Sequence, residues 1–287
     1  MATSTVLAAS VRALGAEFNP TILEATRAIY RPYLDLTPAP KETLDVSYGL
    51  HPRHRLDLYQ PAGTSEAVLV FVHGGGFVGG DKSSDGAFYL NVGRWLARQG
   101  ITAVLPNYRL APANAWPAGA QDVSAVLRWV KENKPLLGGA DTPVIVLGQS
   151  AGACHVASWL FDDHARGGAR QDVASVMLMS GFYKAVAPLP AGARAYFGED
   201  GAQYKARSPL THARQVSVPL WLSVAELDPP WLASQTYGLA QALTEAGGRS
   251  PDFHLFHGHN HVSTVQSIGS GQQDVGQEIL RVVRSLS

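Results

Sequence analysis

The pentapeptide Gly148-Gln149-Ser150-Ala151-Gly152 follows directly on the apolar run Val144-Ile145-Val146-Leu147, and that junction constrains the fold more than any other stretch of the chain. A buried strand that enters Gly-x-Ser-x-Gly and leaves as a helix must turn tightly, which forces the serine into a strained, exposed pose with its hydroxyl above the sheet edge. Such a pose serves a nucleophile. Both glycines follow from the turn, because a Cβ at either flanking position would run into the neighbouring strand or helix.

A second junction of the same kind lies upstream. Ala67-Val68-Leu69-Val70-Phe71-Val72 reads as a fully buried strand, and it ends in His73-Gly74-Gly75-Gly76-Phe77. Three successive glycines leave backbone N–H groups bare, so the loop can hold an oxyanion. Fixed donors around the oxygen of a tetrahedral intermediate lower a barrier by about 3–4 kcal/mol. The N–H of Ala151, at the start of the helix after the serine, adds a donor and the positive end of a helix dipole.

His73-Gly74-Gly75-Gly76-Phe77, Tyr108-Arg109-Leu110-Ala111-Pro112 and Gly148-Gln149-Ser150-Ala151-Gly152 together resemble the α/β-hydrolase esterases related to hormone-sensitive lipase. They are also similar to the shorter feruloyl/acetyl-esterase and kynurenine-formamidase-like relatives. The likeness runs from about Leu44 to the C-terminus. It implies a mostly parallel central sheet with helices on both faces, an oxyanion hole made by Gly75, Gly76 and Ala151, and a triad in the order Ser, Asp, His. It also implies hydrolysis of short- to medium-chain esters through an acyl-enzyme, with no cofactor and no metal.

That order directs the search for the remaining members. Pro219 to Ala225 reads as a buried strand leaving into Glu226-Leu227-Asp228-Pro229-Pro230. An acid at the carboxyl end of a parallel strand is where this architecture keeps its functional groups. Asp228, followed by proline, resembles the family's Asp-Pro signature, with Glu226 as its rival. For the histidine, the segment 252–261 offers His254, His257, His259 and His261. His261 is the choice: it sits past Gly258 and resembles the family's Gly-x-x-His after the last strand, read here as Phe253 to Phe256. From there one ring nitrogen can face the serine and the other can donate to Asp228. His259 is the alternative base, and His257-x-His259-x-His261 also has the composition of a transition-metal site, although no matching carboxylate or cysteine set accompanies it.

Smaller expectations attach to neighbouring residues. Phe77 is a candidate wall of the substrate pocket, and Asp81 either anchors the loop or contacts substrate. Tyr108, Arg109 and Asp122 read as supports of the oxyanion loop, while Cys154, His155 and Trp159 read as packed residues of the helix behind the serine.

The 287 residues suit a single α/β domain, with 1–42 as a helical cap segment and 43–287 as the catalytic core. Within the first part, 5–36 reads as two helices broken at Asn19-Pro20. The resemblance implies that they fold over the active site, the alternative being packing on the sheet edge. Between Ser150 and Asp228 there is no room for a large lid, so this segment and the Ala/Pro/Gly-rich stretch 182–210 are the candidate walls.

Acids and bases balance, at 23 of each, and no basic run occurs. Nucleic acid or an anionic membrane is therefore not the expected partner; a small, mostly neutral ester is, with a homo-oligomer possible. One cysteine excludes an internal disulfide. An N-terminus without the basic residues and apolar length of a signal peptide, and no long apolar segment anywhere, lead to the expectation of a soluble cytoplasmic protein. Two other functions stay open: an arylformamidase or amidase using the same triad, and a ligand-binding receptor that keeps the pocket without turnover.

Overall fold

In the computed structural model, which describes residues 2–286, the apolar runs become the centre of an eight-stranded sheet. The strands are β1 (Lys41–Ser47), β2 (Arg55–Gln60), β3 (Ala67–Val72), β4 (Ile101–Pro106), β5 (Val144–Gln149), β6 (Ser175–Met179), β7 (Leu220–Leu227) and β8 (Asp252–Asn260). Their spatial order is β1-β2-β4-β3-β5-β6-β7-β8. The opening pair β1 and β2 is antiparallel, as is β2 with β4, and the rest run parallel.

The helices are α1 (Ala2–Ala13), α2 (Pro20–Tyr30), α3 (Leu90–Arg98), α4 (Ala118–Glu132), α5 (Lys134–Leu137), α6 (Ala151–Phe161), α7 (Asp163–Arg166), α8 (Ala191–Phe197), α9 (Tyr204–Arg207), α10 (Pro230–Gly247), α11 (Ser263–Gln266) and α12 (Asp274–Arg284). Among the described residues, none is long and apolar enough to cross a membrane.

The strand pleat sends alternate residues to opposite faces, and both faces are dry. Val68, Val70 and Val72 of β3 join one core with Val123 of α4, Val156 of α6 and Leu239 of α10. Leu69 and Phe71 of the same strand join the other with Leu96 of α3 and Ile279 of α12. A central strand buried on both sides must be apolar at every position, which is why these strands read as unbroken runs rather than as alternation.

Strand order reverses between β3 and β5, which are direct neighbours although β4 lies between them in sequence. In open α/β sheets ligands bind beyond the carboxyl ends of the strands at such a reversal. Here the exits of β3 and β5 carry the glycine loop and Ser150.

Element ends differ from the sequence reading where tertiary pairing extends a strand or shortens a helix. The last strand does not stop at Phe256. It continues to Asn260 through an irregularity opposite Ala225 and Leu227, with Gly258 at φ 74°, so His257 and His259 belong to β8 and His261 follows it directly. The helix after the serine begins at Ala151, two residues earlier than its apolar periodicity suggests.

The break at Asn19-Pro20 falls where expected. The Asn19 side chain accepts from the N–H of Ile22 at 3.0 Å and Pro20 opens α2, where its missing N–H costs nothing. α1 packs against β8, and α2 against α1 and α11. The stretch 182–210 contributes α8 and α9, whose Tyr196, Phe197 and Tyr204 form a separate buried cluster with Phe77, Phe182 and Leu232.

Candidate active site

Ser150 sits at φ 57°, ψ −120°, a left-handed backbone that a non-glycine residue occupies only when its surroundings impose it. The surroundings do so from both sides. A Cβ on Gly148 would lie 2.7 Å from the Ala153 Cα, and one on Gly152 would lie 2.1 Å from the carbonyl oxygen of Val72 in β3. The N–H of Ser150 donates to the Met179 carbonyl of β6 at 3.0 Å, and its own carbonyl accepts from Cys154 at 3.2 Å. The elbow is thus bonded to β6 on one side of β5 and packed closely against β3 on the other.

The structure brings Ser150, His261 and Asp228 into one hydrogen-bonded line. The His261 Nδ1–H donates to Asp228 Oδ1 at 2.7 Å, which leaves Nε2 as an acceptor 2.8 Å from the Ser150 hydroxyl. Both the imidazole and the carboxylate are buried, while Ser150 is half-buried.

The second oxygen of Asp228 accepts from the Ser180 hydroxyl at 2.6 Å and from the Ala225 N–H at 2.9 Å. Ser180, at φ 47° just beyond β6, is a supporting residue that sequence reasoning missed. So is Gln149, whose buried side-chain amide donates to the His261 carbonyl at 2.9 Å and joins the serine elbow to the histidine.

The rival residues have other partners. Glu226 pairs with Arg12 at 3.1 Å and accepts from the N–H of Gly258 at 2.5 Å. The fully buried ring of His259 lies between the Ser263 hydroxyl at 2.9 Å and Asp274 at 3.0 Å. His257 is exposed, 3.9 Å from Glu226. The three alternating histidines therefore face three different environments rather than one metal.

Gly75 and Gly76 are exposed in the loop after β3, at φ 146° and 59°, and their N–H groups, like that of Ala151, have no acceptor among the described residues. The loop is clamped from below. His73 stacks on Tyr108 with centroids 4.5 Å apart, and the Tyr108 hydroxyl donates to the His73 carbonyl at 2.9 Å. Burial pushes the His73 imidazole down to about 4, so it is a neutral strut at ordinary pH.

Asp81 lies in this scaffold too. Its carboxylate accepts from the Asn107 side-chain amide N–H at 2.7 Å and from the Ser83 N–H at 3.0 Å, and the Asn107 side-chain Oδ1 accepts from the Lys82 N–H at 2.7 Å. Arg109 is fastened to Asp122 by its N–H at 2.7 Å and its guanidinium at 2.8 Å.

The Phe77 ring is buried, stacked on Tyr196 at 4.8 Å and edge-on to Phe182 and Phe197. It braces the loop from within an aromatic cluster. Cys154 is fully buried, which pushes its thiol well up and leaves it an unreactive filler. Trp159 donates to Gln171 at 3.1 Å, whereas both ring nitrogens of buried His155 lack a hydrogen-bond partner among the described residues.

A family profile for the alpha/beta hydrolase fold matches residues 69–265. Among curated proteins, the chain is 33% identical over 165 residues to the para-nitrobenzyl esterase of Bacillus subtilis (strain 168), which is 51% of this chain and 32% of that one. It is 42% identical over 86 residues to carboxylesterase NlhH of Mycobacterium tuberculosis (strain ATCC 25618 / H37Rv), or 30% of this chain and 26% of the relative. The matched segments thus span about a third or less of these relatives. Among solved structures, esterase B from Lactobacillus rhamnosis (HN001) superposes with a TM-score of 0.75 at 22% identity, covering 100% of this chain and 96% of that one. That likeness is one of fold.

Proposed function

The chain belongs to the α/β-hydrolase fold family, and from that premise we propose that it is a serine carboxylesterase acting on esters with short to medium acyl groups. The observation that carries the reading is the unbroken line from the Ser150 hydroxyl through His261 to Asp228, at 2.8 and 2.7 Å, beside a loop of unpaired N–H groups. The two curated relatives described above, which share its sequence over part of their length, are esterases by name.

The chemistry follows from the roles. His261 Nε2 takes the Ser150 proton as Oγ bonds to the ester carbonyl carbon, and the carbonyl oxygen becomes an oxyanion held by the N–H groups of Gly75, Gly76 and Ala151. Asp228 steadies the imidazolium without taking its proton. The tetrahedral intermediate collapses, the bond to the alcohol oxygen breaks, and His261 delivers the proton to that oxygen. Water then repeats the sequence on the acyl-Ser150 ester, releasing the acid.

The test is hydrolysis of p-nitrophenyl acetate beside a matched formanilide. The unaltered chain is expected to turn over the ester at least about tenfold faster, and Ser150→Ala to lose the activity while unfolding at the same temperature. Unchanged ester turnover in Ser150→Ala would overturn the reading. A formanilide preference would reassign the substrate class to formamides.

A further inference from the structure

We infer that Phe18, on the link between α1 and α2, is a positioning residue for His261 that holds its imidazole in line for proton delivery to the leaving alcohol. The inference rests on the assignment of Ser150, His261 and Asp228 just made.

The Phe18 ring stands at 61° to the imidazole with centroids 4.6 Å apart, an edge-to-face pair. Phe18 is 41% exposed whereas His261 is 2% exposed, so the phenyl group forms part of the cover over the histidine. Asp228 and Ser150 hold the two nitrogens of the ring, but hydrogen bonds at its edge leave it free to tilt about the line joining them. The phenyl group in edge-to-face contact with the ring opposes that tilt.

The link is held at both ends by residues that flank the site. On the α2 side, the Asn260 side-chain amide donates to the Thr26 hydroxyl at 2.9 Å, and Asn260 immediately precedes His261. Tyr30 donates to Gln272 at 2.9 Å, and Gln272 lies 2.8 Å from the buried His259. On the α1 side, Arg12 pairs with Glu226, two residues before Asp228, and the same carboxylate accepts from the N–H of Gly258. Phe18 is therefore suspended between two anchors on the strand exits that carry Asp228 and His261. Its place relative to the imidazole is set by bonds to Asn260 and Glu226, which lie within two residues of His261 and Asp228 in the chain.

Proton delivery is where a tilted imidazole matters most. An alkoxide is too basic to leave unprotonated, so acylation by an alkyl ester needs His261 Nε2 aimed at the departing oxygen. p-Nitrophenolate leaves without a proton and needs the histidine only to deprotonate Ser150. Loss of Phe18 should therefore harm alkyl esters more than p-nitrophenyl esters, a difference that a general loosening of the fold would not produce.

The experiment compares kcat/KM for ethyl acetate and p-nitrophenyl acetate in the unaltered protein, Phe18→Ala, Phe18→Leu and Phe18→Tyr. Each is normalised to active sites titrated with a fluorophosphonate and checked for its unfolding temperature. Phe18→Ala and Phe18→Leu are expected to lose about tenfold or more on ethyl acetate and about threefold or less on p-nitrophenyl acetate, while Phe18→Tyr, which keeps the ring, stays within about twofold on both. Equal losses on the two esters, no loss in either non-aromatic variant, or failure of Phe18→Tyr to retain activity would overturn the inference. No fluorophosphonate labelling of the unaltered protein would instead sink the assignment of Ser150 on which it rests.

Discussion

The Ser180 hydroxyl donates to Asp228 Oδ2 at 2.6 Å, so the carboxylate that faces His261 with one oxygen is held by the end of β6 with the other. Hydrogen bonds to charged groups contribute about 1.5–3 kcal/mol, and one that orients the acid acts on turnover more than on binding. In Ser180→Ala, kcat is expected to fall by about tenfold with KM within about twofold of the unaltered value. Steady-state kinetics on a p-nitrophenyl ester checks this; a KM effect with unchanged kcat would contradict it.

Asp228 and Glu226 leave the same strand end but have different partners, which separates their predicted effects. Asp228→Asn is expected to lower kcat by on the order of 10⁴, because an amide no longer stabilises the required tautomer and imidazolium. Glu226→Gln, altering a side chain that braces Arg12 and Gly258, should change kcat by less than about threefold. A larger loss in Glu226→Gln than in Asp228→Asn would exchange their roles.

The two exposed glycines of the loop are predicted to differ when replaced by alanine. A Cβ on Gly75 would lie 2.0 Å from the Gly79 carbonyl oxygen, whereas one on Gly76 meets nothing within 4 Å. Gly76→Ala, at φ 59°, costs about 1–2 kcal/mol of local strain but keeps the N–H in place. Gly75→Ala must move the loop and with it the donors, and should lower kcat by about 10²-fold. Kinetics of the two variants side by side, with unfolding temperatures, reads the contrast.

Burial holds two histidines neutral, His73 at about 4 and His155 at about 3, against 6.5 in the unfolded chain. Below pH 6.5 the unfolded state takes up protons that the folded state refuses, so stability present at neutral pH is lost as pH falls toward 4 and then 3. At pH 5 each histidine accounts for a loss of about 2 kcal/mol. His155 has no hydrogen-bond partner among the described residues to lose, so His155→Leu should narrow the gap in stability between pH 7.5 and pH 5 by about that amount. Urea unfolding at the two pH values measures it; an unchanged gap would show that the ring is not buried neutral.

The parts of this molecule legible in the sequence are those where the backbone accepts few residue types. Gly148 and Gly152 are required by contacts of 2.7 and 2.1 Å that a Cβ would make, so the elbow announces itself. β3 and β5, dry on both faces, read as apolar runs, and Asn19-Pro20 marks a helix start by cap chemistry alone. The supports of the site do not show in the same way. Ser180 is one small residue after a strand, Gln149 occupies the variable position of its motif, and Phe18 meets His261 only once β8 and the N-terminal helices are brought together. The end of β8 was similarly hidden, because its pairing resumes beyond an irregularity that a residue pattern does not encode.

The most direct measurement of the central claim is peptide mass spectrometry of the protein after treatment with a fluorophosphonate. The account predicts one adduct, on the peptide containing Ser150, with labelling slowed in Asp228→Asn and absent in Ser150→Ala. An adduct on any other residue, or full hydrolytic activity in protein whose Ser150 is quantitatively labelled, would contradict it.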